Sequence, residues 1–369
     1  MTWKTRRQLQ QPAGGACSGP PFPVQGRVGR IEDPAPELFN RRYVQANRPV
    51  VIQGVTESWP ALVRWTWPYL FDLAGDRAGE VIVSRNGLYP DYLTQPSPMA
   101  KVEMRFAELL RRAVPALAEL AEDTEALPPV LAAGETYYLY GKSYLLDAVP
   151  ALRDDLRAPV CLGATPVSSC GLWISSAGCV TPLHYDLSNG LLCQVRGTKQ
   201  VWLFDPAQRD RLYPRGGTFP GFDNYERQSR VDIHHPDLAA FPEFRRAAAL
   251  ECALREGDTL FIPSEWWHEV ETLEPSLSVQ FTFAGGTVTS ELAVLSDLFK
   301  KKTGGAQPGA VSGMDLFRRA GEADLAAGPL ADPAALSELL AAPAVQRLLQ
   351  DPTLLAALAR LMAGKAGAP

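Results

Sequence analysis

From Thr136 to Gly286 the chain never holds a helical period for long. It runs as short apolar stretches, TYYLYGKSYLL, LLCQVRG, KQVWLF, DTLFIP and SVQFTFAGG, punctuated by Gly and Pro. Segments of that length and spacing form strands that close on one another as a sandwich or barrel. This pattern constrains the fold more than any other feature. It also exposes an anomaly in TPLHYDLSNGLLCQVRGTKQVWLF, residues 181 to 204, where His184, Asp186 and Lys199 stand among apolar residues. A charged group inside a sheet needs a partner.

On either side of the strand-rich region the character changes. Residues 1 to 30 are rich in Pro, Gly and Gln, a composition that buries too little surface to offset its ordering entropy, and read as a flexible leader. Residues 31 to 289 form the main domain, opened by an α/β elaboration. There PVVIQG and GEVIVS read as strands, whereas WPALVRWTWPYLFDLAG and KVEMRFAELLRRAV read as helices. Residues 290 to 369 are Ala/Leu-rich, and two of their segments start with Asp-Pro, a helix-start signature. The expected class is therefore mainly β with flanking helices and a helical C-terminal region.

Composition narrows the function. The chain has 369 residues, 46% of them hydrophobic, and a formal charge of −5. Such a balance gives no general attraction to phosphate backbones, so nucleic acid is not the expected partner. The six cysteines show neither a C-x-x-C pair nor a disulfide framework, which fits reduced thiols in a cytoplasm. Lys4, Arg6 and Arg7 precede no apolar run, and no stretch approaches the ~20 apolar residues that cross a bilayer. A secretory, twin-arginine or lipoprotein signal and a membrane span are not expected.

In a strand, residues i and i+2 share a face, so His184 and Asp186 can chelate one metal. His268 follows two tryptophans in GDTLFIPSEWWHEV, far enough along the chain to lie on a neighbouring strand. Two imidazoles and one carboxylate make the open facial triad of non-heme iron, whereas closed tetrahedral zinc needs a fourth protein ligand. Lys199 follows the hairpin turn Arg196-Gly197-Thr198, and strand alternation surrounds it with apolar neighbours, so it asks for a carboxylate. His234 and His235, in RVDIHHPDLAAF, read as loop or surface residues.

Through TPLHYD, GTKQVWLF and IPSEWWHEV the chain resembles the JmjC/cupin-type Fe(II)- and 2-oxoglutarate-dependent oxygenases over roughly residues 30 to 290, most of all their asparaginyl hydroxylase branch. The resemblance implies a double-stranded β-helix (cupin or jelly-roll) core. It implies that His184, Asp186 and His268 ligate Fe(II), that O2 is consumed, and that Lys199 pairs with the far carboxylate of 2-oxoglutarate. Thr181 and Tyr138 match hydroxyls on that carboxylate, although Tyr137 and Tyr140 compete for the tyrosine role. Gln280 stands where that branch has an asparagine, and Asn189 lies one residue from a family amide position. Thr282 replaces a tryptophan near the substrate, and Leu187, Ser188 and Gly190 replace polar residues after the H-x-D motif.

The activity implied is hydroxylation of a protein or peptide side chain. Alternatives are the same chemistry on a small molecule or a tRNA nucleoside, and a cupin-type binding protein without turnover. Lysyl demethylation ranks lower, since no zinc-finger spacing is present. The family's C-terminal helices also imply a homodimer built through DPAALSELLAAPAVQRLL and DPTLLAALARLMAG.

Overall fold

A computed structural model describes residues 20–89, 99–118, 135–142, 144–165, 167–215, 227–287 and 290. The described residues form fourteen strands: β1 Val24–Arg27, β2 Arg30–Glu32, β3 Val50–Gln53, β4 Ala78–Ser84, β5 Met99–Arg105, β6 Thr136–Lys142, β7 Val167–Ser175, β8 Val180–Tyr185, β9 Asn189–Arg196, β10 Lys199–Phe204, β11 Ala249–Leu254, β12 Thr259–Ile262, β13 Trp267–Thr272 and β14 Ser276–Phe283. They form two sheets, ordered β1-β11-β10-β13-β8 and β2-β3-β12-β9-β14-β7-β6-β4-β5. The antiparallel runs β11-β10-β13-β8 and β12-β9-β14-β7 are the two facing walls of a jelly roll, as the sequence pattern predicts.

Alternation along these strands divides the apolar residues into layers. Leu192, Val201, Leu203, Leu254, Leu260, Ile262 and Trp266 pack together from both walls and mark the barrel interior. Leu183, Tyr185, Trp202, Phe204 and Trp267 pack on the back of the smaller sheet, beside Phe244 and Phe22. Leu191, Cys193, Val279 and Phe281 pack on the back of the larger sheet, under the N-terminal helices.

Those helices are short: α1 Pro36–Phe39, α2 Pro60–Arg64, α3 Trp67–Ala74 and α4 Phe106–Ala113. The single helix expected over residues 59 to 75 is broken at Trp65-Thr66. Thr66 caps the second half by accepting from the Tyr69 N–H, and the Trp65 indole donates to Asp155 at 2.9 Å. The helix expected over residues 101 to 114 is also corrected, because Met99–Arg105 is a strand that pairs with β4 along its length. Val102, Met104 and Phe106 alternate, so the first half of that stretch carries a period of two; only Phe106, Leu109, Leu110 and Ala113 carry the helical period.

The flexible leader is expected to extend through residue 30, but residues 22 to 30 are built into the fold. β1 pairs in parallel with β11, β2 pairs in parallel with β3, and Phe22 is buried against Trp202. Residues 1–19 and the C-terminal region from 291 onward, including the expected dimer helices, lie outside the described residues. No helix among the described residues is long and apolar enough to cross a membrane. Five cysteines, Cys161, Cys170, Cys179, Cys193 and Cys252, are free thiols.

The β9–β10 hairpin turns where the sequence predicts. Gly197 has φ +72°, and a Cβ there would sit 2.2 Å from the Pro275 carbonyl oxygen, so the turn that launches Lys199 into β10 requires glycine.

Candidate metal and dicarboxylate site

β8 and β13 are antiparallel neighbours, and their register sets His184 directly opposite His268. Directly opposed residues share a sheet face. The two rings lie 4.2 Å apart by centroid, and Asp186, one residue past the end of β8, brings Oδ2 to 3.9 Å from His268 Nε2. One ligand atom from each of the three lies within 4.8 Å of the others. The spacing of H-x-D and the WWHE segment are thus brought to one point, as the sequence predicts.

Each imidazole is oriented through its other nitrogen. His184 Nδ1 lies 2.8 Å from the Pro182 carbonyl oxygen and His268 Nδ1 lies 2.9 Å from that of Trp266. An Nδ1–H donated to a carbonyl leaves the Nε2 lone pair free for a cation. Burial, then the neighbouring His184, pushes His268 down to about 4 against the opposing pull of Asp186 and the Trp266 carbonyl, so that ring is neutral at neutral pH. Burial pushes the Asp186 carboxyl up, but His184, His268 and Arg227 together hold it below its ordinary value. Two imidazoles and one carboxylate are the donor set of a facial triad, and no further His, Cys, Asp or Glu among the described residues joins the cluster. The residues therefore fit a ferrous ion that keeps coordination positions for exogenous ligands.

A bulge decides what else faces this point. The register of β8 slips between His184↔His268 and Val270↔Thr181, so Thr181 and His184, three residues apart, both turn inward while Leu183 turns out. Leu203 lies opposite His268, and Lys199 and Val201 share the face of Leu203. Lys199 is therefore inside the barrel, 1% exposed, opposite Thr272. The Thr272 hydroxyl lies 3.0 Å from that of Ser175, and Ser175 lies opposite Tyr138. Burial pushes the Lys199 ammonium down to about 8, with Cys179 acting the other way, and no carboxylate among the described residues pairs with it.

Register also separates the tyrosines. Tyr138 shares the inner face with Ser175 and packs against Trp173 at 5.9 Å, whereas Tyr137 lies on the other face, 3.2 Å by its hydroxyl from Arg112 Nη1. The side chain of Tyr140 lies outside the described residues. Gln280 lies opposite Leu192 on the inner face, and its amide nitrogen occupies the space a side chain at residue 190 would take, 3.0 Å from an ideal Cβ on Gly190. The Thr282 hydroxyl joins Ser168 and Ser169 beside it.

Asn189 is corrected. It sits on the face opposite Gly190 and Leu192, and its amide is committed to backbone: Nδ2 donates to Gly285 O and Oδ1 accepts from Ser264 N. Ser264 in turn donates to Leu187 O, and the Glu265 N–H donates to Asp186 O. The turn between β12 and β13 thereby grips the segment that presents Asp186, and Asn189 serves that grip rather than a cosubstrate.

Two features escape the sequence reading. Arg227 Nη1 stands 3.9 Å from Asp186 Oδ1, brought there because Gln228 bridges to His184; nothing local in the sequence marks it. His234 is not a free surface residue, since its Nε2 lies 2.7 Å from both Glu269 Oε1 and Glu271 Oε1. Burial pushes His234 down, but these two carboxylates more than offset it and raise it to about 10. The signal was present in HEVE, where two acidic residues alternate with His268 on one strand. His235 is exposed, as predicted.

The cupin-like domain family matches residues 36–285, and the chain belongs to that family. "Lysine-specific demethylase 8" of Danio rerio is 32% identical over 260 residues, which cover 69% of this chain and 57% of that protein. "Bifunctional peptidase and (3S)-lysyl hydroxylase JMJD7" of Homo sapiens is 30% identical over 271 residues, 68% of this chain and 81% of that protein. "tRNA wybutosine-synthesizing protein 5" of Homo sapiens is 28% identical over 262 residues, 68% of this chain and 76% of that protein. The chain spans about half the length of the curated demethylase relatives it matches.

An unpaired buried ammonium opposes folding until an anion meets it. The folded value near 8 lies below the ordinary 10.5, so the penalty is full below pH 8 and is relieved as pH rises toward 10. In ligand-free protein, Lys199→Met is expected to raise stability at pH 7 by up to roughly 3 kcal/mol and to abolish the gain between pH 8 and 10. Urea unfolding midpoints of both proteins across that range measure it; a variant less stable than wild type at pH 7 contradicts the assignment.

Proposed function

We propose that this protein is an Fe(II)- and 2-oxoglutarate-dependent oxygenase that hydroxylates a side chain of a protein or peptide. The observation that carries the reading is Lys199: an ammonium 1% exposed, without an acidic partner among the described residues, on the same barrel face as His184 and His268. A chain that only needed a filled barrel would gain by an apolar residue there. A dicarboxylate that reaches the triad with one end and Lys199 with the other satisfies both.

His184 Nε2, His268 Nε2 and an Asp186 oxygen would hold the iron. When bound, iron and 2-oxoglutarate supply dioxygen activation, coupled to decarboxylation of the oxo acid to succinate. The chain's own residues bind and orient. Lys199 anchors the far carboxylate, with the Thr181 and Tyr138 hydroxyls facing the same interior and the Gln280 amide lying over Gly190. The apolar lining of Leu192, Val201, Leu203 and Ile262 excludes water from the inner end, which strengthens the charge pairing there. The side chain of Asp186 remains 40% accessible, so a substrate approaches from that side, past Arg227.

A protein substrate is supported by the relatives named for a lysine demethylase and a lysyl hydroxylase, and the net charge of −5 weighs against tRNA. Free thiols at all five described cysteines support a reducing, cytoplasmic setting. The apolar segments of residues 290–369 support self-association into a homodimer. Light scattering should return twice the 40.2 kDa chain mass, and a monomer at high concentration contradicts the dimer.

The activity is tested with Fe(II), 2-oxoglutarate and oxygen, and succinate as the readout. Wild type should release succinate slowly even without a prime substrate, and His184→Ala should abolish it. Lys199→Ala should raise the 2-oxoglutarate concentration for half-maximal rate by at least about 30-fold, the loss of about 2 kcal/mol. Equal succinate from all three proteins sinks the reading.

A further inference from the structure

β13 carries different chemistry on its two faces. His268 points into the barrel, while Glu269 and Glu271, both buried, point out of it. His234 spans the two carboxylates with one nitrogen, 2.7 Å from each. Each glutamate has a second contact on a neighbouring strand. Glu269 Oε2 accepts the Leu183 N–H at 3.1 Å, and Leu183 is the outward residue of the β8 bulge between Thr181 and His184. Glu271 Oε1 accepts the Trp202 indole N–H at 3.2 Å, and Trp202 lies on β10, the strand of Lys199. One imidazole thus ties together, from outside, the three strands that carry His184, His268 and Lys199.

We propose that His234 is a positioning residue which, through Glu269 and Glu271, fixes the β8 bulge and with it the geometry of the metal-binding face. The inference rests on the iron reading above. Two buried carboxylates on one strand face repel each other and are costly without a cation or donors between them. With His234 present, Glu269 is held so that its second oxygen meets the Leu183 amide, which the bulge removes from the regular ladder. The register on either side of that amide decides whether Thr181 and His184 share a face, because a slip of one residue turns a side chain to the opposite side.

A second cation at His234, Glu269 and Glu271 is the competing use of this cluster. The contacts of 2.7 Å are hydrogen-bond distances, shorter than the ~3.3 Å between two ligands that each stand ~2.0 Å from a tetrahedral ion. The remaining oxygen of Glu269 is already engaged by Leu183. The geometry is that of a hydrogen-bonded clamp.

The test uses Co(II) as the probe, titrated into the full chain without oxygen and followed by its visible absorption, with circular dichroism and melting measured on the same samples. Wild type should bind one Co(II) per chain and His184→Ala none; if wild type binds none, the iron reading itself fails. His234→Phe should weaken Co(II) binding 10- to 100-fold and alter the spectrum, the range typical when a partner behind a ligand is removed. His234→Gln, which keeps a donor to the carboxylates, should recover most of the affinity. Where His234→Phe does not fold, Glu269→Gln is read in its place, with about a 10-fold loss expected. A folded His234→Phe or Glu269→Gln with wild-type Co(II) affinity and spectrum overturns the proposal, even if its melting temperature falls, because a merely structural clamp would move melting alone. Two Co(II) per chain, one of them lost in His234→Phe, also overturns it in favour of a second metal site.

Discussion

The antiparallel pairing of β8 with β13 is the contact on which the rest of the site depends. It sets His184 opposite His268, and its bulge turns Thr181 inward beside them. Asp186 follows immediately and is held by the Glu265 amide from the turn that leads into β13. The donors come from residues far apart in sequence, so no local segment can form the site before the two walls of the jelly roll close. Once closed, the ladder fixes the ring positions without a covalent link, and the backbone carbonyls of Pro182 and Trp266 fix the ring orientations.

The same two strands also organise the buried charges. Inside the barrel, Lys199 lacks a carboxylate partner among the described residues and is disfavoured by burial. Outside, Glu269 and Glu271 are equally removed from water but find His234, Leu183 and Trp202. A satisfied network stabilises a sheet, while an unsatisfied one destabilises it unless a ligand completes it. The contrast separates structure from binding: the outer charges complete themselves within the chain, whereas the inner one is the anchor proposed for a dicarboxylate.

Much of this was legible in the sequence, for reasons that differ from residue to residue. Strand alternation made His184 and Asp186 neighbours, and the apolar surroundings of Lys199 announced a buried charge. The C-terminal half of the jelly roll followed from Gly and Pro punctuation, as the turn at Gly197 illustrates. The helical period of Phe106, Leu109, Leu110 and Ala113 masked the alternation just before it, and Met99–Arg105 is a strand because β4 offers an edge that a short helix could not use. His234 does lie in a loop, as its surroundings suggest, but its partners are on a strand distant in sequence, so its contacts could not be read locally. Asn189 looked like an amide for a ligand, but the face it occupies is set by β9, and Ser264 and Gly285 claim both its ends. The choice between Tyr137 and Tyr138 needed the register against β7, which no single-strand pattern contains.

In the proposed active state a metal and a dicarboxylate bridge the triad and Lys199. Crystals grown with Mn(II) and a non-reactive dicarboxylate, measured by anomalous diffraction, test this most directly. The expected result is one anomalous peak about 2.0–2.3 Å from His184 Nε2, His268 Nε2 and an Asp186 oxygen, with the ligand's far carboxylate on Lys199 Nζ. A peak among His234, Glu269 and Glu271 instead, or a dicarboxylate bound away from Lys199, would contradict it.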